Sequence, residues 1–184
     1  MARIDARRMT HRHQGSLVVF HIGMTINKWY RPDLWWPVFA AMPGMLAELS
    51  KDTDSGLLGY RLLFGRGGPT LIQYWDSTDK LYAYASDPAA KHRPAWAAYN
   101  KRARRAKGAV GVWHETYAVA RAETMYVSTP VMGLAAATES VPVGPRSDRA
   151  HARLDAGVTP AAPAGVGGAG VGGVTADDGA RPAA

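Results

Sequence analysis

The chain contains no cysteine among its 184 residues. This absence excludes disulfide frameworks, thiol nucleophiles and Cys-ligated zinc or iron–sulfur sites. It also lacks a long apolar run: the longest, residues 17–26, is about ten residues long and contains His21, well short of the roughly 18 that a membrane helix needs. The basic N-terminus is not followed by the small-residue cleavage site of a signal peptide. We therefore expect a cytoplasmic protein with no membrane partner.

Aromatic residues are missing from the end of the chain. All six tryptophans and all eight tyrosines lie between Trp29 and Tyr126. The last 46 residues contain 11 Ala, 9 Gly and 5 Pro, a composition that cannot bury enough apolar surface to offset the entropy lost on ordering. The sequence therefore predicts a basic flexible N-terminus over 1–15, an α+β domain over 16–137, and a disordered Ala/Gly/Pro-rich tail over 138–184.

The formal charge of +7 raises the question of an anionic partner. The densest basic patch is the run from Lys101 to Lys107, placed where a predicted helix ends before Gly108. Cations at that position stabilise the negative end of the helix dipole. A phosphate-binding stripe is the alternative, but no nucleic-acid-binding motif accompanies the patch. We expect no nucleic-acid partner.

Periodicity and turn signals predict an alternation of strands and helices. Asp33 is the expected N-cap of the first helix and Ser77 that of the second. The predicted strands cover 17–26, 56–65, 70–76, 110–119 and 124–128, and the predicted helices cover 34–49, about 77–87 and 94–107.

This order is β-α-β-β-α-β plus an extra C-terminal strand, the ferredoxin-like arrangement in which two helices cover one face of an antiparallel sheet. The first strand is apolar on both of its faces, unlike a strand with one wetted side. The second face of the sheet therefore needs a cover. We expect a second copy of the chain to provide it, which makes the protein a homodimer.

Several segments resemble a known family in the same order along the chain: IGMTINKW at 22–29, PVF at 37–39 with AMP at 41–43, GLLGYR at 56–61, QYW at 73–75 and VWHETY at 112–117. They resemble a bacterial and fungal family named after a monooxygenase-like protein of the fumagillin pathway, within the dimeric α/β barrel superfamily of antibiotic-biosynthesis monooxygenases. The resemblance covers about residues 17–134. It implies a dimeric α/β barrel with an apolar cavity between sheet and helices, and oxygenation of a small aromatic or polyketide-like compound.

Cofactor-independent oxygenation of that kind deprotonates a phenol or enol, so the protein must supply a base or anion-stabilising donors in a mostly apolar pocket. His114 is the first candidate, because it lies in the middle of a predicted strand and histidine's ordinary pKa of about 6.5 suits proton transfer near neutrality. The alternative is a buried core histidine that bonds a backbone group. Glu115 points to the opposite face by strand alternation, so His114 and Glu115 do not form a dyad.

Other residues complete the predicted site. His92, Trp96 and Tyr99 share one face of the last helix, and packing is the alternative role for the two aromatic residues. Asn100 beside them could orient a substrate carbonyl as a second catalytic residue, or could simply be solvated. The rest of the predicted ligand-binding set is His21, Trp36 and Tyr74, although alternation alone does not tell which sheet face His21 and Tyr74 occupy.

Cofactor motifs are absent: the chain has no dinucleotide fingerprint, no phosphate loop and no metal-binding histidine pair of helical spacing with a carboxylate. We therefore expect no cofactor and no metal. Haem is the alternative, since haem-binding proteins occur on this barrel and His92 or His114 could be the axial ligand. The sequence thus predicts a monooxygenase-like enzyme, with a non-catalytic binding module for an apolar small molecule as its rival.

Overall fold

The structure is a computed structural model that describes residues 4–90, 94, 97–101 and 108–156. The strands are β1 (Ile4–Arg12), β2 (Val18–Ile26), β3 (Leu57–Gly65), β4 (Gly68–Trp75), β5 (Val110–Ala118), β6 (Tyr126–Pro130) and β7 (Glu139–Pro142). The helices are α1 (Pro32–Lys51), α2 (Thr78–Ser86), α3 (Gly133–Ala137) and α4 (Ala150–Ala156), with a 3-10 turn at Pro145–Ser147. Residues 97–101 are also helical.

The larger sheet has four antiparallel strands in the order β3-β4-β2-β5. With α1 between β2 and β3, and α2 between β4 and β5, this is the ferredoxin-like α+β fold, as the sequence predicted. The register places Val18 of β2 opposite Trp75 of β4 on one side and Ala118 of β5 on the other. Because the side-chain period of a strand is two, this register determines which residues share a face.

One face of this sheet carries the main core. Val18 and Trp75 pack with Leu49 of α1 and Leu81 of α2, and all four side chains are buried. Phe20 packs against the same cluster, so the even-numbered residues of β2 face the helices. We call this the helix face and its reverse the opposite face.

Helix starts show one correct prediction and one error. Ser77 accepts a hydrogen bond from the backbone N–H of Lys80 at 3.2 Å, which confirms it as the N-cap of α2. Asp33 is not the cap of α1: the helix begins at Pro32 after Arg31, and Asp33 lies in the first turn. Proline suits the first helical position because its missing N–H would have no partner there, so the helix starts earlier than the apolar periodicity indicates.

A smaller sheet, in the order β6-β1-β7, joins the two ends of the described chain. Residues 4–12, predicted to be flexible, form β1, and Met9 and Thr10 within it are buried. Residues 139–156, predicted to belong to a disordered tail, contain β7, the 3-10 turn and α4. Composition hid both segments because their pairing partners lie more than a hundred residues away along the chain. The rest of the predicted tail, 157–184, lies outside the described residues.

Arg153 of α4 ties this C-terminal segment down. Its buried guanidinium donates to Glu123 Oε1 at 2.6 Å and to the backbone carbonyls of Ser147 and Asp148 at 2.9 and 2.7 Å. A buried charge is stable only when it is paired and hydrogen-bonded, and Arg153 has both. The charged and polar residues of 139–156 therefore hold a structure that their average hydrophobicity does not predict.

The opposite face of the larger sheet is partly covered by the chain itself. Helix α3 lies on β3, and a Cβ added to Gly59 would come within 2.9 Å of the Cβ of Ala137. The sequence assigned the cover of this whole face to a second copy. Within the described residues, α3 covers the β3 half of this face, and the β2–β5 half is left for a second copy. Within the described part of the chain, no helix is both long enough and apolar enough to cross a membrane.

Candidate functional site

His114 lies on the helix face of β5, opposite Ile22 of β2. Its imidazole is 5.4 Å from the ring of Phe20, centroid to centroid, with the two planes tilted by 39°. The side chain is exposed. The alternative role of a buried core histidine is therefore wrong, since a residue of that kind would be enclosed by the sheet and the helices.

Tyr99 contacts the beginning of the strand that carries His114. Its hydroxyl donates to the backbone carbonyl of Val110 at 3.3 Å, which holds helical residues 97–101 against the start of β5. Asn100, the second predicted catalytic residue, follows it in this helical segment and is half-buried. His114 is four residues further along β5 than Val110, about 13 Å along an extended strand. His92 and Trp96 lie outside the described residues.

His21 lies on the opposite face, in a polar cluster that we call the His21 cluster: His21, Glu115, Tyr117 and Trp113. The Tyr117 hydroxyl donates to Glu115 Oε2 at 2.7 Å, and His21 Nδ1 lies 3.3 Å from the same oxygen. The indole of Trp113 meets the His21 ring edge-on at 4.8 Å. The hydrogen bond from Tyr117 and, second, that from His21 lower the pKa of Glu115.

Tyr74 is also on the opposite face, beneath the start of α3. Burial raises the pKa of its phenol. The hydroxyl of the neighbouring Tyr126 accepts a hydrogen bond from the backbone N–H of Ala135 at 3.4 Å. The predicted separation of His114 from Glu115 is thus confirmed, but the structure does not bring His21 and Tyr74 to the face that His114 occupies.

Trp36 lies apart from both His114 and the His21 cluster. It belongs to a continuous series of ring contacts that we call the aromatic run. Its members are successive neighbours at centroid distances of 6.0, 5.9, 5.6 and 6.3 Å: Trp29, Trp35, Trp36, Phe39 and Phe64. The sequence predicts Trp36 as a single ligand-binding residue and does not predict the series of ring contacts. The adjacent pair Trp35-Trp36 is the one signal of this series in the sequence, since Phe64 comes from a distant strand.

Two further features lie apart from these residues. A surface pocket of about 330 Å³ is lined by Ala47, Glu48, Lys51 and Asp52 at the end of α1, and it includes no predicted site residue. In residues 4–90, 94, 97–101 and 108–156, no three His, Asp or Glu side chains form a group that could hold a metal ion.

Comparison with known proteins identifies one family. The family model described as Monooxygenase af470-like matches residues 17–134, from the residue before β2 into α3. The match excludes β1, β7 and α4, which form most of the smaller sheet and its anchor. No curated protein matches the chain.

Solved structures show low similarity. SnoaB, a cofactor-independent oxygenase from Streptomyces nogalater, is 14% identical over 57% of this chain and 94% of its own, with a TM-score of 0.42. Rv0793 from Mycobacterium tuberculosis is 19% identical over 57% of this chain and 95% of its own, with a TM-score of 0.41. A dimeric ferredoxin-like protein of unknown function from Thermobifida fusca is 18% identical over 59% and 95%, with a TM-score of 0.40.

Proposed function

The chain belongs to the Monooxygenase af470-like family, and from that membership we propose that it is an enzyme that oxygenates a small aromatic or polyketide-like compound without a cofactor. Fold alone does not imply an activity, so the proposal depends on the site. The observation that carries it is the position of His114. The imidazole is exposed to an incoming molecule and stands beside an aromatic ring on the helix face.

His114 would act as the general base. A phenol or enol bound against Phe20 would present its O–H to the imidazole, which takes the proton and leaves an electron-rich anion. The ring of Phe20 suits such a substrate because aromatic rings pair favourably in tilted or offset arrangements.

The anion supplies the electrons for the rest of the reaction. One electron passes to O2, the resulting radical pair combines to form a C–O bond, and the peroxide so formed takes up a proton. At a carbon that carries a hydrogen, loss of water from this hydroperoxide leaves a carbonyl. Both oxygen atoms are then accounted for, one in the product and one in water. Asn100 would orient a substrate carbonyl in this scheme, as an amide can both donate and accept.

The test is oxygen consumption over a panel of phenols, quinols and β-dicarbonyls. His114→Gln should lower turnover by about 10² to 10⁴, because glutamine cannot accept the proton. Since the side chain is exposed, the variant should keep its circular dichroism spectrum and melting temperature. His151→Gln is the matched control, because His151 is an exposed histidine on α4 that pairs with Asp155.

Three results would contradict the proposal. Equal turnover by His114→Gln and wild type would remove His114 as the base. Tight binding of a panel compound with no turnover by the wild type would indicate a binding module for an apolar ligand. A strong absorption band at about 400 nm in protein expressed with iron, lost in His114→Gln, would indicate a haem with His114 as its axial ligand.

We also propose that the chain forms a homodimer through the β2–β5 half of the opposite face. That half carries the His21 cluster, in which Trp113 and His21 are only half-buried, whereas α3 covers the β3 half. Light scattering of the full chain at micromolar concentration should give twice the chain mass of 19.7 kDa. A strict monomer would contradict this arrangement.

A further inference from the structure

One end of the molecule exposes a large aromatic surface. Trp29 and Tyr30, in the loop after β2, are 57% and 76% exposed; Trp36, in the first turns of α1, is 55% exposed, and Phe64, near the end of β3, is 72% exposed. We call these four residues the aromatic end. Soluble proteins rarely leave several large aromatic side chains exposed side by side, and such a patch marks an interaction surface.

The fold holds these side chains at one place. The backbone N–H of Ile26 donates to Gly67 at 2.8 Å, which joins the end of β2 to the β3–β4 turn that follows Phe64. The indole of Trp35 donates to the carbonyl of Trp29 at 3.2 Å and so ties the loop to α1. The ring contact between Phe39 and Phe64 completes the connection from α1 to β3. The aromatic end is therefore a built surface that three elements share.

Cationic residues flank these rings along the sequence. Arg31 follows Tyr30, Lys28 precedes Trp29, and Arg66 lies two residues after Phe64. The sequence over 27–39 and 60–68 contains four cations and one acid, Asp33, which pairs with Arg31 at 2.6 Å. The fourth cation, Arg61, points to the opposite face, since strand alternation separates it from Phe64.

We propose that the aromatic end docks on the surface of an anionic phospholipid membrane. Tryptophan and tyrosine favour the headgroup level of a membrane, because each has an apolar ring that contacts lipid and a polar N–H or O–H group that contacts water. Lysine and arginine beside them are attracted by the negative surface potential of the leaflet. A second copy is a poor occupant, because its own aromatic end brings the same cations. Docking of this kind needs no spanning helix, and composition did not predict it because the rings come from separate elements.

The experiment measures binding of the full chain to phosphatidylcholine vesicles with and without about a third of phosphatidylglycerol, by co-sedimentation at low and high salt. The wild type should bind the anionic vesicles, with binding that weakens as salt rises. Trp29→Ser with Phe64→Ser should lower the partition coefficient roughly tenfold or more, because two aromatic rings that would be partly buried in the lipid are lost. The matched control is Tyr82→Ser with Val131→Ser, two comparably exposed apolar residues elsewhere.

A double substitution that removes two cations tests whether electrostatic attraction contributes to membrane binding. Lys28→Gln with Arg66→Gln should lower anionic partitioning by about fivefold per charge, while Arg146→Gln with Arg149→Gln, which removes two exposed cations elsewhere, should have a much smaller effect. The proposal is overturned if the wild type does not bind anionic vesicles at low salt, or if the aromatic variant binds as well as its control. A lower oligomeric mass for the aromatic variant would also overturn it, since a second copy would then occupy the aromatic end. None of these outcomes depends on oxygenase activity.

Discussion

The two faces of the four-stranded sheet use similar residues for different purposes. On the helix face, Val18 and Trp75 are sealed under α1 and α2, and His114 stands exposed at the margin next to Phe20. On the opposite face, His21 is engaged with Glu115 in a polar cluster. Adjacent residues of one strand, His114 and Glu115, thus serve opposite surfaces. His114 is exposed whereas His21 lies against a carboxylate, and this difference is the reason for taking His114 as the candidate base.

The largest expected effect tests whether side chains are packed more tightly on the helix face than on the opposite face. Trp75 is 0% exposed, and its indole donates to Gln73 Oε1 at 3.0 Å. Trp75→Ala should lower the free energy of unfolding by about 3 to 5 kcal/mol, because it leaves a cavity and a buried amide oxygen without a donor. Urea unfolding measures this loss.

Trp113→Ala provides the contrast on the opposite face. The indole of Trp113 lies over the backbone at Gly23, where an added Cβ would come within 2.4 Å of the ring, but the side chain is only half-buried. Its loss should cost roughly half as much as the loss of Trp75. Equal costs for the two variants would mean that the opposite face is as well packed as the helix face.

The second prediction concerns the smaller sheet, which is separate from the four-stranded sheet that α1 and α2 cover. A chain that ends at Thr138 loses β7 and the Arg153–Glu123 pair. It should lose about 2 kcal/mol or more, a fall of roughly 4 to 8 °C in melting temperature, because Glu123 is left without its cation. A chain that ends at Ala156 keeps every contact described for β7 and α4 and is the control. Equal melting temperatures for the two truncations would show that this segment adds no stability.

Sequence reasoning predicted the larger sheet because its evidence is local. Strand β2 and the β3–β4 hairpin are apolar runs with turn residues between them, and Ser77 is a recognisable cap. Strand β1 could not be predicted in the same way. Its arginines indicate a solvated basic arm, and the strand forms only by pairing with β6 and β7, more than a hundred residues further along the chain, which leaves Met9 and Thr10 as its two buried residues.

The candidate site was predictable only in part, for a related reason. Alternation correctly separated His114 from Glu115, because these two residues are neighbours in one strand. It could not assign His21 or Tyr74, since their face depends on how β2 and β4 pair with β5 and with each other. The aromatic run was missed because Phe64 joins Phe39 only through the packing of α1 on β3.

A third prediction tests whether α3 packs tightly against β3 on the opposite face. Gly59→Ala would place a Cβ 2.9 Å from the Cβ of Ala137 and 3.0 Å from its Cα, so the backbone of α3 must shift. We expect a loss of about 1 to 3 kcal/mol in unfolding free energy. Gly44→Ala in α1, where an added Cβ meets nothing within 4 Å, should instead stabilise by about 0.5 to 1 kcal/mol. A neutral Gly59→Ala would mean that α3 does not press on β3.

The smallest effect is expected in the His21 cluster, where Glu115 and Tyr117 are exposed. The hydrogen bond from Tyr117 is the largest cause of the lowered pKa of Glu115, followed by that from His21. A carboxyl group with a lowered folded-state pKa contributes stability above its ordinary pKa of about 4.3, and that stability is lost as the pH falls through the folded value. Tyr117→Phe should therefore move the Glu115 pKa back up toward its ordinary value, while Tyr82→Phe, an exposed tyrosine on α2, should leave it unchanged. NMR titration of the Glu115 carboxyl measures both, and an unchanged pKa in Tyr117→Phe would show that the hydroxyl does not hold this carboxylate in solution.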